Sequence, residues 1–336
     1  MHHHARTDLG VRGQPGNKGP SHPAARRRSV KQVDNRNDIR DFLTTRRAKI
    51  TPQQAGLPAF GGHRRVPGLR REEAALLAGV SIDYYTRLER GNLSGVSESV
   101  LESVARALQL DEAEHAHLFD LARTANSSPR RTRPTQEQVR PSVQRLLDAM
   151  TGAPAYVRNG RLDILAANQL GRALYAPVFE NAGRRVNTAR FTFLNPRSQE
   201  FYQDWDRVAH DAVAILRASA GANPYDKALS DLVGELSTRS DEFRVRWAAH
   251  HVKFHRTGIK RLHHPVVGDL ELTFESLDLP ADPGLRVTTY TAEPNTASAD
   301  GLALLASWSA TVDTTTATAT APVPGRQSAA DRNTVE

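Results

Sequence analysis

The stretch from Leu69 to Gly91, LRREEAALLAGVSIDYYTRLERG, constrains the fold of this chain more than any other. Arg70 to Ala78 places apolar residues behind a charged amino end, as an amphipathic helix does. Gly79 enters without strain the left-handed conformation that ends a helix sharply. Ser81 is a favoured N-cap for a second helix, Ile82 to Arg90. The stretch therefore predicts two short helices joined by a tight turn.

Side-chain size predicts how these two helices pack. Ala75 is small, whereas Tyr85 and Leu88 of the second helix are large, which lets the helices cross at a steep angle. The second helix then keeps an outward face that is polar apart from one aliphatic residue. The outward residues are Ile82, Asp83, Thr86, Arg87 and Arg90. Since Arg can donate two hydrogen bonds to guanine and an aliphatic group can contact the thymine methyl, this face suits the major groove of DNA.

The same residues resemble the helix-turn-helix of the phage-repressor-like (XRE) family of bacterial transcription factors. The matching positions are Ala75, Gly79, Val80-Ser81, Tyr85 and Leu88-Glu89-Arg90-Gly91. The resemblance implies that Ile82, Asp83 and Arg87 read bases in a double-stranded DNA operator. We expect phosphate contacts from Arg64, Arg65, Arg70, Arg71, Tyr84, Thr86 and Arg90. A plain helical hairpin is the alternative interpretation.

The positive charge lies in the part of the chain that holds this stretch. Residues 1–133 contain 23 Lys and Arg against 14 Asp and Glu, a net charge of +9. The remainder contains 22 against 23, a net charge of −1. A basic segment attracts nucleic acid through counterion release, whereas a near-neutral one does not.

Composition also excludes several classes of site. The chain has no cysteine, so disulfides, thiolate metal sites and cysteine nucleophiles are excluded. No run approaches the ~18 apolar residues of a membrane span, and the amino end is polar rather than an apolar secretory segment. We expect a cytoplasmic protein with no membrane partner.

The first domain is predicted to span residues 37–123, after a disordered basic arm over residues 1–36 that either is solvated or follows phosphates. Its first helix is expected from Asp38 to about Lys49, with Asn37 as cap. Ile39, Phe42 and Leu43 form the apolar face of this helix, and Arg46 and Arg47 are expected to project away.

Residues 51–67 are too rich in Pro and Gly to continue that helix. They look like the GLP…GGxRRVPGLRREE stretch of an actinobacterial subgroup with a carboxy-terminal ligand-binding domain related to the methylenomycin regulator MmyB. His63-Arg64-Arg65 would then grip phosphates. Further helices open at Ser97 and Asp111, giving about five in all. His115 and His117 are two residues apart, so they cannot chelate together and are expected to be solvated.

A linker is predicted at residues 124–135, a second domain at 136–309 and a disordered tail at 310–336. The second domain opens with a hairpin, Ala155 to Ala166, and closes with three strand-like runs, with several helices between. The fold class is therefore multidomain, all-α followed by α+β with one antiparallel sheet and helices on a face. This order looks like the PAS-like fold of the MmyB-type ligand-binding domain.

That resemblance implies a lipophilic small-molecule ligand, with fatty acids as the associated class, and no cofactor. A PAS-like sheet under helices can enclose an apolar cavity with a few orienting polar groups. The expected pocket residues are Asn168, Phe193, Trp205, Trp247, His250 and Phe274. Ordinary structural roles are the alternative for each, such as core packing for the tryptophans and a turn for His264-Pro265.

The sequence thus predicts a ligand-responsive transcription regulator, a repressor by family habit, that binds DNA as a homodimer because one recognition helix covers few base pairs. One alternative is a DNA-tethered enzyme or metal domain, since His251 and His255 have i, i+4 spacing. The HExxH glutamate is missing there, with Val252 in its place, and no third ligand is evident, so no metal site is predicted. The other alternative is a protein-interaction module without ligand.

Overall fold

A computed structural model describes the chain over residues 23–58, 66, 68–126, 138–180, 185–249 and 256–319, with side chains described only within 35–309. These ranges form a helical domain followed by a domain with one sheet. No helix in the described ranges is long and apolar enough to cross a membrane.

Five helices form the described part of the first domain, as predicted. They are α1 (Pro23–Lys49), α2 (Arg71–Ala78), α3 (Ile82–Glu89), α4 (Glu98–Ala107) and α5 (Glu112–Asn126). Their apolar faces meet in one core, in which Ile39, Phe42 and Leu43 are fully buried. The Ser97 hydroxyl accepts a hydrogen bond from the Val100 amide and caps α4, which confirms the predicted start of that helix.

The predicted start of the first helix was wrong. α1 begins at Pro23, so residues 23–36 of the expected disordered arm are helical and Asn37 caps nothing. Pro is favoured at the first position of a helix. The residues that follow include Ala24, Ala25 and a run of Arg, which are strong helix formers, and neither Gly nor Pro interrupts them.

The prediction that Arg46 and Arg47 project away was also wrong. Both are buried, with 2% and 9% of their surfaces exposed. Arg46 pairs with Glu114 of α5, and Arg47 pairs with Glu89 of α3. A buried guanidinium needs such a carboxylate. Both acids are distant in sequence, so helical periodicity alone could not reveal them.

The sheet of the second domain has five antiparallel strands in the order β2-β1-β5-β4-β3. The strands are β1 (Ala155–Arg158), β2 (Ile164–Ala167), β3 (Thr257–His264), β4 (Gly268–Asp278) and β5 (Arg286–Thr291). The opening hairpin therefore pairs with the last strand through β1, which places β5 at the centre of the sheet. Burial alternates along β4, with Leu270, Leu272 and Phe274 on the covered face. The prediction of two opening and three closing strands is confirmed.

Nine helices accompany this sheet in the described residues. They are α6 (Pro141–Ala149), α7 (Gln169–Leu174), α8 (Ala176–Phe179), α9 (Thr188–Leu194), α10 (Ser198–Phe201), α11 (Trp205–Ala222), α12 (Lys227–Arg239), α13 (Asp241–Ala248) and α14 (Ala297–Ala319). α14 was not predicted, and it runs into the tail expected from residue 310. It packs on α7 and β4 and buries Leu302 and Leu305. Two apolar residues are not enough to identify a helix by periodicity.

The two domains contact each other through α5 and α11. Ala218 of α11 packs against the helical core. The Thr124 hydroxyl donates a 3.3 Å hydrogen bond to the Gly221 carbonyl. His117, expected to be solvated, is buried against Gly221 and the edge of Phe42. The second domain covers this face of α5, which the sequence of α5 could not reveal.

Candidate DNA-binding and ligand-binding sites

The turn between α2 and α3 has the predicted geometry. Gly79 has a φ of 65°, and its amide donates to carbonyls at the end of α2. The Ser81 hydroxyl accepts a 3.1 Å hydrogen bond from the Tyr84 amide. Ala75 and Tyr85 are buried where the two helices cross. The turn therefore fixes the angle between α2 and α3.

The exposed face of α3 carries the three predicted base-reading residues. Ile82 is 53% exposed, and Asp83 and Arg87 are also exposed. The Arg87 guanidinium lies 5.5 Å from the centre of the Tyr84 ring. Its Nη2 atom donates only a long, 3.4 Å hydrogen bond to the Ser94 carbonyl. Arg87 is therefore oriented by weak contacts that a base edge can replace.

The predicted phosphate-binding residues differ in their surroundings. Arg70 and Arg90 are exposed, and Tyr84 and Thr86 are half-buried. Arg71 is 57% exposed, and its Nε donates to Glu89 at 2.9 Å. Two further residues of this set, Arg64 and Arg65, lie outside the described residues.

A buried ion-pair network behind α3 was not predicted. Glu89 is 2% exposed, and Arg47 donates to it from Nε at 2.7 Å and from Nη2 at 2.9 Å. Nη1 of Arg47 donates to the Leu69 carbonyl at 2.6 Å. Burial alone would raise the pKa of Glu89, but the hydrogen bonds from Arg47 and Arg71 outweigh it and lower this pKa. The carboxylate therefore stays ionised and joins α3 to α1 and α2.

The second domain contains a cavity of about 50 Å³ between its sheet and α11. It is lined from the sheet by Tyr156, Arg158, Lys260, Thr288 and Tyr290, and from the helices and the segments beside them by Leu162, Tyr175, Thr188, Thr192, Tyr202, Val208, Asp211 and Ala212. Tyr156 and Arg158 belong to β1, and Lys260 belongs to β3. The side chains of these strands project from one face of the sheet, so residues far apart in sequence line the same cavity.

Three tyrosine hydroxyls form a chain at this cavity. The Tyr290 hydroxyl lies 2.6 Å from that of Tyr175 and 3.2 Å from that of Tyr156. Burial raises the pKa of Tyr175 and of Tyr290, so both phenols are neutral. Two contacts among three hydroxyls use two of their three protons. One proton is therefore left for an acceptor outside the trio.

Three of the predicted pocket residues lie together, but none of them lines this cavity. Phe193 contacts Trp205, with ring centres 6.1 Å apart, and Phe243, with ring centres 5.1 Å apart. Trp247 stacks on Phe243 at 5.5 Å. The indole N–H of Trp205 donates to the Thr192 carbonyl at 3.1 Å. These side chains form a packed aromatic cluster next to the wall made by α9 and α11.

The remaining predicted pocket residues have different surroundings. Phe274 is buried on the sheet, with its ring centre 6.3 Å from that of Tyr290, so it supports the cavity wall. Asn168 caps α7, and its amide accepts two hydrogen bonds and donates two, all within the protein. This uses its full hydrogen-bonding capacity. His250 lies outside the described residues.

One histidine of the region that raised the question of a metal, His264, has a structural role. His251 and His255 lie outside the described residues. His264 is the buried last residue of β3, where its Nε2–H donates to the Ala173 carbonyl at 3.0 Å and its Nδ1 accepts a 3.2 Å hydrogen bond from the amide of Val266 in the turn to β4. Burial lowers the pKa of His264, in keeping with this neutral form. The predicted turn role of His264 is confirmed.

Comparison with known families agrees with this geometry. Residues 26–118 match the family model of a helix-turn-helix domain. A helix-turn-helix domain with an exposed recognition face, followed by a second domain with a cavity, is the architecture of a DNA-binding transcription regulator. Residues 139–305 match the family model of the MmyB-like transcription regulator ligand binding domain. The chain therefore belongs to the MmyB-like helix-turn-helix transcription regulators. A comparison with curated proteins returned no match.

Proposed function

We propose that this regulator reads an operator through the exposed face of α3 and that a small molecule in the cavity changes operator binding. α11 carries the proposal, because this one helix both lines the cavity and packs against the DNA-binding domain. Val208, Asp211 and Ala212 of α11 line the cavity. Ala218 and Gly221, further along the same helix, contact the first domain.

A displacement of α11 would therefore be transmitted to α5. The ligand must bind the two arrangements with different affinity, because otherwise it shifts nothing. We infer that the protein is a homodimer, since paired recognition helices must match half-sites about one helical turn of DNA apart. A change in how α5 sits on α11 would alter the position of the DNA-binding domain and break that match. We further propose that the protein is cytoplasmic, represses transcription and has no catalytic role.

For the ligand we propose a lipophilic molecule such as a fatty acid. Phe201 and Phe274 pack against the tyrosines of the cavity, which supports an apolar guest. A cavity of about 50 Å³ has room for only a few water-sized groups. A longer ligand must therefore separate α11 from the sheet, and this is the displacement that the switch requires.

Replacement of Arg87 by Ala tests the DNA-binding part of the proposal. We expect Arg87→Ala to weaken binding to the specific operator by about 1–3 kcal/mol and to relax selectivity at one base position, because the variant loses bidentate base contacts. Fluorescence anisotropy with operator DNA from upstream of the protein's own gene, and with single-base variants of it, measures both effects.

The control for this experiment is Arg123→Ala. It removes the same charge from α5, where Arg123 is 72% exposed and pairs with Asp120. We expect it to leave base selectivity unchanged. If Arg87→Ala weakens binding to operator and to random duplex equally, Arg87 contacts only phosphate and the base-reading assignment is wrong.

A further inference from the structure

A buried positive charge lies where the two domains meet. Arg217 of α11 is 3% exposed, and it directly precedes the part of this helix, Ala218 and Gly221, that contacts the first domain. Its Nε atom is buried and has no hydrogen-bond partner among the described residues. Burial of a cation whose hydrogen bonds are incomplete costs free energy. The arrangement in which α11 packs on α5, here called docked, therefore carries a cost that is absent once the domains separate and water reaches Arg217.

The printed contacts of Arg217 lie within its own domain. Its guanidinium carbon is 4.0 Å from the centre of the Trp247 ring, and its Nη2 donates a hydrogen bond to the Trp247 carbonyl. Trp247 belongs to α13 and stacks on Phe243 in the aromatic cluster of the second domain. Separation of the domains breaks neither contact. Both contacts therefore stabilise the guanidinium without favouring the docked arrangement.

The opposite charges that act on Arg217 come from the other domain. Asp38 and Asp41 lie on α1, the first exposed and the second half-buried. Burial lowers the pKa of Arg217 to about 10, and the carboxylates of Asp38 and Asp41 act against this shift, whereas Arg46 adds to it. Because burial is the largest of these effects, α1 compensates the buried charge only in part.

We infer that Arg217 keeps the contact between the two domains marginally stable, because its buried charge opposes docking and Asp38 and Asp41 of α1 offset this cost only in part. A ligand shifts an equilibrium by no more than its difference in affinity for the two states. A nearly balanced pair of arrangements therefore responds to a modest difference. This inference rests on the proposed function, because it concerns the equilibrium that the ligand would shift.

The distance between two spin labels measures docking, and the chain has no cysteine of its own to compete for the label. Ser99 on α4 and Ser230 on α12 are exposed, so Ser99→Cys/Ser230→Cys places one label on each domain. Pulsed electron paramagnetic resonance on the full chain, diluted with unlabelled chain, then gives distances within one molecule. We expect a narrow docked component and a broad undocked component. A single narrow distance would overturn the inference.

Substitutions on the two sides of the contact should act in opposite directions. We expect Arg217→Met, which removes the buried charge, to raise the ratio of docked to undocked molecules by at least about fivefold. Asp38→Asn/Asp41→Asn leaves that charge uncompensated and should lower the ratio by at least about threefold. In the Arg217→Met background the same two Asn substitutions should change it by less than about twofold, since their partner is gone. An unchanged or lower ratio in Arg217→Met would contradict the inference.

The controls make the same changes of charge on the surface of the second domain. Arg244→Met removes a cation of α13 that is 60% exposed and pairs with Asp241. Asp231→Asn removes an acid of α12 that is 62% exposed. We expect neither to change the ratio, and the melting temperature of every variant checks its folding. If the controls shift the ratio as much as the interface variants do, net charge governs docking and the inference is wrong.

Operator binding by the same variants, with and without an organic extract of the host cells, separates this inference from the proposed function. If docking shifts as expected while operator binding is the same in every variant and with the extract, the inference stands and the switch is wrong. If the extract changes operator binding while no substitution at Arg217, Asp38 or Asp41 changes docking, the switch stands and the inference is wrong.

Discussion

Glu89→Ala is expected to destabilise the folded chain by about 3–5 kcal/mol. The substitution removes the carboxylate that Arg47 contacts through two nitrogens, and water solvates Arg47 poorly because only 11% of its side chain is exposed. Breaking a buried pair by removing one partner leaves an uncompensated charge, which accounts for a loss of this size. Urea unfolding followed by circular dichroism measures it, as a lower midpoint of the helical transition.

Two controls distinguish burial of charge from loss of a side chain. Glu102→Ala removes a carboxylate that is 50% exposed and pairs with His115, and we expect it to cost less than about 1 kcal/mol. In the double variant Arg47→Met/Glu89→Leu no charge is stranded, so most of the stability should return. If Glu89→Ala costs no more than Glu102→Ala, the buried network does not hold α3 in place.

Gly91→Ala is expected to destabilise the chain by roughly 2–5 kcal/mol. Gly91 has a φ of 86°, where a Cβ atom costs about 1–2 kcal/mol. That Cβ would also lie 2.2 Å from the carbonyl oxygen of Arg36, so the backbone of α1 must move away from the end of α3. Overpacking of this kind costs typically 1–3 kcal/mol. Thermal and urea unfolding measure the sum.

Gly79→Ala separates the two contributions. Gly79 has a similar positive φ of 65°, but a Cβ there meets no atom within 4 Å. We therefore expect only the conformational cost, about 1–2 kcal/mol. Equal losses at the two glycines would show that α1 does not closely approach Gly91 in solution.

The helix-turn-helix was predictable because its determinants are local. Gly79, Ser81 and Tyr85 act within a few residues of their position, and each has the role that its type and spacing indicated. The strands were predictable for the same reason, since alternation along β4 is a local pattern. Periodicity gave no basis for their order in the sheet.

The parts that sequence reasoning missed depend on distant partners. Arg47 is an ordinary surface residue by pattern, and its burial depends on Glu89, 42 positions away. The sequence pattern predicted a solvated side chain for His117, but His117 is buried because α11 of the other domain packs against it. The cavity depends on β1, β3 and β5 belonging to one sheet. The sequence therefore did not indicate that Arg158 and Lys260 lie at the same site. The aromatic residues expected to form the pocket instead pack on one another next to it.

The most direct test of a ligand-controlled regulator is operator binding with and without the cell's own small molecules. The purified full chain is titrated onto DNA from upstream of its own gene, in the presence and absence of an organic extract of the host cells. We predict that the extract changes operator affinity, and that its acidic fraction retains the effect. Tight, specific operator binding that no fraction alters would contradict the account of α11 as a link between the cavity and the DNA-binding domain.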